Sequence, residues 1–119
     1  MKTVKPRKII FYKAPTGEEP FPLWFDEIKD KRLKDAVAKR LERVEKGALG
    51  ECKSVGGGVR ELKFRASGVR IYFAEVSGYI VLLLCSGNKA SQVEDIKNAK
   101  QYWNEFGSRV EHNKSDETN

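Results

Sequence analysis

The sequence has few of the residues on which metal sites and histidine-based catalysis depend. Among its 119 residues there are one histidine and two cysteines. Cys52 and Cys85 are not spaced as a zinc knuckle, and His112 lies in a polar C-terminal stretch. We therefore expect no metal and no other cofactor. The two cysteines are expected to be reduced thiols, as is usual in a cytoplasmic protein.

Long apolar runs are also missing. The longest, residues 79–85, is far too short to span a bilayer. The charged N-terminus, residues 1–5, has no apolar segment behind it of the kind that marks a secretory signal. These absences predict a cytoplasmic protein with no membrane partner.

The sequence does contain enough apolar material for one folded domain. Hydrophobic residues make up 39% of the chain and aromatic residues 10%, which excludes wholesale disorder. Lys and Arg number 23 against 17 Asp and Glu, for a net charge of +6. A basic excess of this size indicates a polyanionic partner, either nucleic acid or an acidic protein.

Hydrophobic periodicity predicts an α+β domain over residues 1–107 with the element order β-α-α-β-β-β-α, followed by a polar, disordered tail over 108–119. The first strand is 8–12. Two helices follow, a short one and a long one, with Asp30 as the N-cap of the second and Gly47 as its stop.

The second half begins with a Gly-rich loop over 48–58. Strands are predicted at 59–65, 69–76 and 79–85, and the last of these is expected to be central because it is apolar on both faces. Ser91 and Glu94 form a capping-box pattern that opens the final helix, and Gly107 is expected to end it.

The first two of these strands form a hairpin with informative charges. A two-residue turn at Ser67-Gly68 would place Arg65 directly opposite Arg70, which is unfavourable unless an anion neutralises the pair. One face of the hairpin is then a core face of Leu62, Phe64, Ile71 and Phe73. The other face carries Lys63, Arg65, Arg70 and Tyr72, with Glu61 at its margin.

A solvated strand face and an anion site fit this charge pattern equally well. Tyr72 beside three cations favours nucleic acid, because a tyrosine can stack on a base while Lys and Arg hold phosphates. The run 56–58 lacks the Walker spacing and is interpreted as a flexible connector. Lys89, just before the last helix, is placed to meet an anion, although by itself it fits an ordinary surface lysine better.

Taken together, these segments resemble the RelE/ParE superfamily of toxins from type II toxin–antitoxin modules. The resemblance is closest to the HigB-like branch known as addiction module killer proteins. It covers about residues 8–106 and rests on ordered segments at 58–64, 68–73, 81–89, 92–96 and 99–103. The family fold is a small, twisted, mostly antiparallel sheet with an N-terminal helical pair and a C-terminal helix.

The resemblance implies a metal-independent, ribosome-dependent endoribonuclease that cuts mRNA and inhibits translation. It leaves 2′,3′-cyclic phosphate and 5′-hydroxyl ends. It also implies neutralisation by a small helix-turn-helix antitoxin, with operator DNA bound only through the antitoxin complex. The family's catalytic positions correspond to Lys63, Arg65, Arg70 and Lys89. We add Tyr72, Arg60 and Lys53 as candidate RNA-binding residues.

Two positions depart from one branch of the family. Glu61 stands where that branch has a basic residue, and Asp95 stands where it has a tyrosine. The ParE branch shares the fold but poisons DNA gyrase, so fold alone does not decide activity. The alternatives are a non-catalytic gyrase inhibitor and a basic binding module without nuclease activity.

Overall fold

The computed structural model describes the backbone of residues 5–117 and the side chains of residues 5–111. Residues 1–4, the side chain of His112 and the last two residues of the predicted tail lie outside this range. The elements in chain order are β1 (Lys8–Phe11), α1 (Pro20–Asp26), α2 (Lys31–Glu45), β2 (Cys52–Gly56), β3 (Val59–Lys63), β4 (Arg70–Ser77), β5 (Ile80–Gly87) and α3 (Gln92–Glu117).

The fold is a compact α+β domain, which confirms the predicted fold class. It is built on one five-stranded mixed sheet. The strand order is β1-β5-β4-β3-β2. β1 pairs with β5 in parallel, and every other pair is antiparallel. β5 is paired on both edges, as its apolar sequence predicted, but β4 occupies the middle of the sheet.

Both faces of the sheet are covered by helices. Side chains alternate across a strand, so each strand contributes to two cores. The first core packs α1 and α2 against one face, around Leu62, Ile71 and Phe73. The second packs α3 against the opposite face, around Tyr72 and Leu84.

The helical pair follows its sequence signals. The Asp30 carboxylate accepts hydrogen bonds from the backbone N–H of Arg32 and Leu33 at 2.9 and 3.4 Å, so it caps α2 as predicted. Gly47 has φ +99°, a left-handed conformation that suits glycine and ends the helix. Trp24 and Phe25 of α1 are both partly exposed.

The predicted loop over 48–58 is wrong in part, because residues 52–56 form the edge strand β2. This strand has a register shift between Ser54 and Gly56, and most of its side chains are exposed. An exposed, bulged edge strand has no clear hydrophobic alternation. That is why periodicity did not reveal it.

The predicted turn between β3 and β4 is also wrong. Phe64 N–H donates to Val69 O at 2.9 Å, so Arg65 to Gly68 all lie in the loop. Gly68 has φ +76°, and no non-glycine residue in the described chain has a positive φ. A two-residue hairpin turn of type I′ would force Ser67 into that region as well, whereas the longer loop requires only Gly68 there.

The corrected register places Lys63, not Arg65, directly opposite Arg70. The shift from the predicted register is two residues. Because side chains alternate with a period of two, the shift leaves the strand residues on their predicted faces, while Arg65 moves into the loop. Leu62, Phe64, Ile71 and Phe73 are all buried in the first core, as expected.

The final helix is longer than predicted. Gly107 lies within α3, which continues to Glu117. Ser91 immediately precedes the helix, as expected, but its hydroxyl donates to the Asp95 carboxylate, and Glu94 is exposed. Over residues 5–117, no helix combines the length and apolar character needed to cross a membrane.

Candidate active site

Three cations meet on the α3 face of the sheet, beyond the start of that helix. Lys53 of β2 lies opposite Glu61, and Lys63 of β3 lies opposite Arg70. We call Lys53, Lys63 and Arg70 the cationic corner. A cavity of about 250 Å³ opens there, and both lysines line it together with Glu51, Cys52 and Glu61.

A buried ion pair lies beneath the lysines. Glu61 is only 1% exposed and Arg70 only 6%. Arg70 Nε lies 3.5 Å from Glu61 Oε1, and Lys53 Nζ lies 3.9 Å from the same oxygen. Glu61 therefore lies at the centre of the polar group, whereas the sequence pattern had suggested its margin.

Tyr72 does not offer the stacking surface that the sequence suggested. Its side chain is completely buried. Burial, followed by the negative charge of Glu61, raises the pKa of its hydroxyl well above the usual range. Tyr72 packs in the second core, directly opposite Glu61 in the sheet.

Arg65 and Lys89, the other two candidate catalytic residues, lie on loops. Arg65 donates two hydrogen bonds to the Glu51 carboxylate, at 2.7 and 2.9 Å. This ion pair lowers the pKa of Glu51 and raises that of Arg65. Lys89 is exposed in the turn between β5 and α3. The structure thus brings Lys63 and Arg70 together, whereas Arg65 is bound to a different partner.

Arg60 lies on the opposite face of the sheet. Its Nη1 donates to Glu75 Oε1 at 3.1 Å, and its guanidinium lies over the ring of Phe73, 5.7 Å from the centroid. It therefore does not join Lys53 as a member of the cationic corner. Strand alternation predicts that Arg60 and Lys63 lie on opposite faces, because they are three residues apart in the same strand.

The start of α3 completes the site with groups that sequence reasoning did not select. Gln92 Nε2 donates to Glu61 Oε2 at 2.9 Å. Asp95 accepts from Ser91 and lies against Gly87 at the end of β5. The closeness of Gln92 to Glu61 depends on how α3 packs on the sheet. Patterns among neighbouring residues in the sequence do not predict it.

A larger cavity of about 540 Å³ lies between α2 and the β3–β4 loop. Arg40, one of the cations that line it, donates to the carbonyls of Leu49, Lys63 and Glu51 at 3.3, 3.0 and 2.7 Å. Those bonds hold α2 against the segment leading into β2. Lys63 lines both cavities and Arg65 lines the larger one, whereas Lys53 and Glu61 line the smaller cavity.

This combination of fold and site defines a small basic α+β domain with a cationic corner on a mixed sheet. No family model matches the sequence. The chain is 38% identical over 88 residues to an uncharacterized protein of Haemophilus influenzae, and the match covers 73% of this chain and 89% of that protein. The chain belongs to the family of that Haemophilus protein.

Proposed function

We propose that this chain is the toxin of a type II toxin–antitoxin module, with a RelE-like fold of the HigB-like killer-protein branch. In this proposal it acts in the cytoplasm as a metal-independent endoribonuclease that cuts mRNA on the ribosome. The observation that carries the proposal is the cationic corner, where Lys53 and Lys63 line one small cavity and the buried Arg70 lies directly opposite Lys63 in the sheet.

Cleavage of RNA without a metal requires fixed positive charge. The ribose 2′-hydroxyl attacks the adjacent phosphate and loses its proton, while the bond to the 5′-oxygen of the next nucleotide breaks. That oxygen takes up a proton, so the products carry a 2′,3′-cyclic phosphate and a 5′-hydroxyl. Negative charge gathers on the non-bridging oxygens in the transition state, and preorganised cations stabilise it.

Each residue of the corner has a role in this reaction. Arg70 is held by Glu61 and also donates from Nη1 to the Gly68 carbonyl at 3.0 Å, so its guanidinium has a defined orientation toward the phosphate. Lys63, directly opposite Arg70, moves the proton as base or acid. Lys53 is the most exposed of the three and holds RNA phosphate.

Two further cations, Lys89 and Arg65, lie on loops outside the cationic corner and have secondary roles in the proposal. Lys89, in the turn before α3, contacts phosphate or the leaving oxygen. Arg65 reaches the substrate only after it leaves Glu51, and an exposed ion pair of that kind opens at little cost.

The antitoxin partner is a small helix-turn-helix protein that presents acidic and apolar groups. Apolar side chains exposed on and near α1 support this. Phe11 of β1 and Leu23 of α1 are 44% and 49% exposed, and Trp24 of α1 is partly exposed. Charge complementarity predicts that binding weakens as salt rises. Affinity that does not change between low and high salt would contradict this part of the proposal.

The test is to induce the chain in cells and map the 5′-hydroxyl ends of cellular mRNA. We expect new ends within translated regions, and none with Lys63→Ala or Arg70→Ala. Purified gyrase is assayed in parallel. Inhibition of gyrase without RNA cleavage would favour the ParE-like alternative, and neither activity would favour a basic binding module.

A further inference from the structure

Glu61 is a buried carboxylate that contacts two of the three cations of the cationic corner. A carboxylate that is 1% exposed is rare in proteins unless it is paired, because removal of its hydration shell costs several kcal/mol. Replacement of a buried ion pair by apolar side chains is often neutral or stabilising. Stability alone therefore does not account for a glutamate at this position.

Glu61 contacts polar side chains from three other elements. One oxygen faces Arg70 Nε at 3.5 Å, and the other accepts from Gln92 at 2.9 Å. Lys53 approaches the first oxygen to 3.9 Å. A single carboxylate thus connects β2, β4 and the start of α3.

Arg70 is restrained from two sides as a result. Glu61 faces its Nε, and the carbonyl of Gly68 accepts from its Nη1. Within the described residues Nη1 makes the one hydrogen bond of this guanidinium, and the 3.5 Å contact of Nε with Glu61 is an ion pair without a hydrogen bond. A guanidinium fixed in this way presents one edge in a constant direction, which is the arrangement that transition-state stabilisation requires.

We infer that Glu61 is a positioning residue for Arg70, an inference that rests on the proposed function and deepens it. Glu61 is 1% exposed and acts through Arg70 rather than on the substrate itself. It sets the plane of the Arg70 guanidinium and, through Gln92, fixes the start of α3 against the same site.

The experiment compares Glu61→Gln with the wild-type chain by two readouts. The first is the side-chain Nε–H resonance of Arg70 in ¹⁵N NMR spectra, assigned with Arg70→Lys. In the wild-type chain we expect a slowly exchanging, rigid signal, and in Glu61→Gln a mobile or exchange-broadened one. The second is the rate of RNA cleavage over a range of RNA concentrations. We expect kcat to fall on the order of 10²-fold with little change in KM.

Glu75→Gln is the matched control. Glu75 also pairs with arginines, at 3.0 Å from Arg7 and 3.1 Å from Arg60, but on the opposite face of the sheet. This substitution should leave both the Arg70 signal and cleavage unchanged. Gln92→Ala, which keeps every charge, should give an intermediate loss of cleavage, and it serves as the second variant if Glu61→Gln does not fold.

Each outcome decides the inference. An Arg70 signal as rigid in Glu61→Gln as in the wild-type chain would overturn it, and so would a mobile signal with unchanged kcat. If Glu75→Gln lost as much Arg70 rigidity and cleavage as Glu61→Gln, the cause would be general destabilisation. That result would overturn the inference too. If the wild-type chain cleaves no RNA, the proposed function fails, while the NMR comparison still decides whether Glu61 holds Arg70.

Discussion

Gly87 leaves the space that the carboxylate of Asp95 occupies. A Cβ atom built on Gly87 would overlap that carboxylate and would lie 2.9 Å from Ser91 Oγ. The end of β5 and the first turn of α3 are therefore packed too closely for any side chain at this position. The same turn of the helix carries Gln92, so the fit at Gly87 also sets the position of a group in the candidate site.

We expect Gly87→Ala to lower the free energy of unfolding by about 1–3 kcal/mol, the usual cost of overpacking a close contact. Cleavage should fall as well, because displacement of α3 moves Gln92 away from Glu61. Urea unfolding and RNA cleavage measure the two effects. Gly78→Ala is the control, since a Cβ there meets nothing within 4 Å. Equal effects of the two substitutions would contradict the packing argument.

Arg70→Ala should abolish cleavage and also destabilise the domain. An Arg65–Arg70 pair, as inferred from the sequence, would have made removal of Arg70 neutral or stabilising. The observed pairing with buried Glu61 predicts a loss of about 3 kcal/mol instead, because a buried carboxylate loses its main counter-charge.

The double variant Arg70→Ala with Glu61→Gln separates the two effects. It should recover part of the lost stability, because no unpaired buried charge remains, and it should recover no cleavage. Chemical unfolding and single-turnover cleavage are measured on the same preparations. Additive losses of stability in the double variant would mean that Glu61 and Arg70 are not coupled.

The two thiols should differ sharply in reactivity. Burial, followed by the charge of Asp95, raises the pKa of Cys85 to about 12. At pH 8 the thiolate fraction of such a thiol is on the order of 10⁻⁴. We expect an alkylating reagent to modify the partly exposed Cys52 first and Cys85 only on unfolding. Mass spectrometry of peptides from the native protein checks this order.

The same shift predicts a loss of stability at alkaline pH. The pKa of Cys85 is higher in the folded than in the unfolded chain, so the unfolded chain releases the proton first as pH rises. The contribution of Cys85 is complete below about pH 8.5 and declines as pH rises toward 12. The wild-type chain should therefore lose more stability between pH 8 and 10 than Cys85→Ala does, as measured by urea unfolding at each pH.

Gly107→Ala should stabilise the domain. Gly107 lies inside α3, and a Cβ built there meets nothing within 4 Å. Alanine favours the helix over glycine by about 0.5–1 kcal/mol. Thermal unfolding should show a higher midpoint, with cleavage unchanged. A lower midpoint would indicate that the helix is not continuous through residue 107 in solution.

Local signals in the sequence predicted most of the fold. The apolar periodicity of the helices, the Asp30 cap and the Gly47 stop each depend on neighbouring residues, and the structure confirms them. Strand alternation assigned the faces of the β3–β4 hairpin correctly even though its register was wrong. The register failed because it depends on loop conformation, which the Ser67-Gly68 pair did not determine by itself.

The candidate site was harder to predict. Alternation places Glu61 on the same face as Lys63 but does not say what covers that face. Burial of Glu61 and Tyr72 depends on the docking of α3, which brings Gln92 to a residue 31 positions away in sequence. Arg65 was assigned by position in a family pattern, and its exposed pairing with Glu51 follows from a loop that is longer than expected.

The parallel pairing of β1 with β5 has a consequence for synthesis of the chain. Lys8 lies beside Ile80, so the first strand to be made has no partner in the sheet until the last of the five strands has been made. The candidate site likewise draws on residues from Lys53 to Gln92. A partly translated chain therefore contains neither a complete sheet nor a complete site. The site can therefore form only after the start of α3 has left the ribosome. Until then the nascent chain lacks the arrangement of residues on which any activity at this site depends.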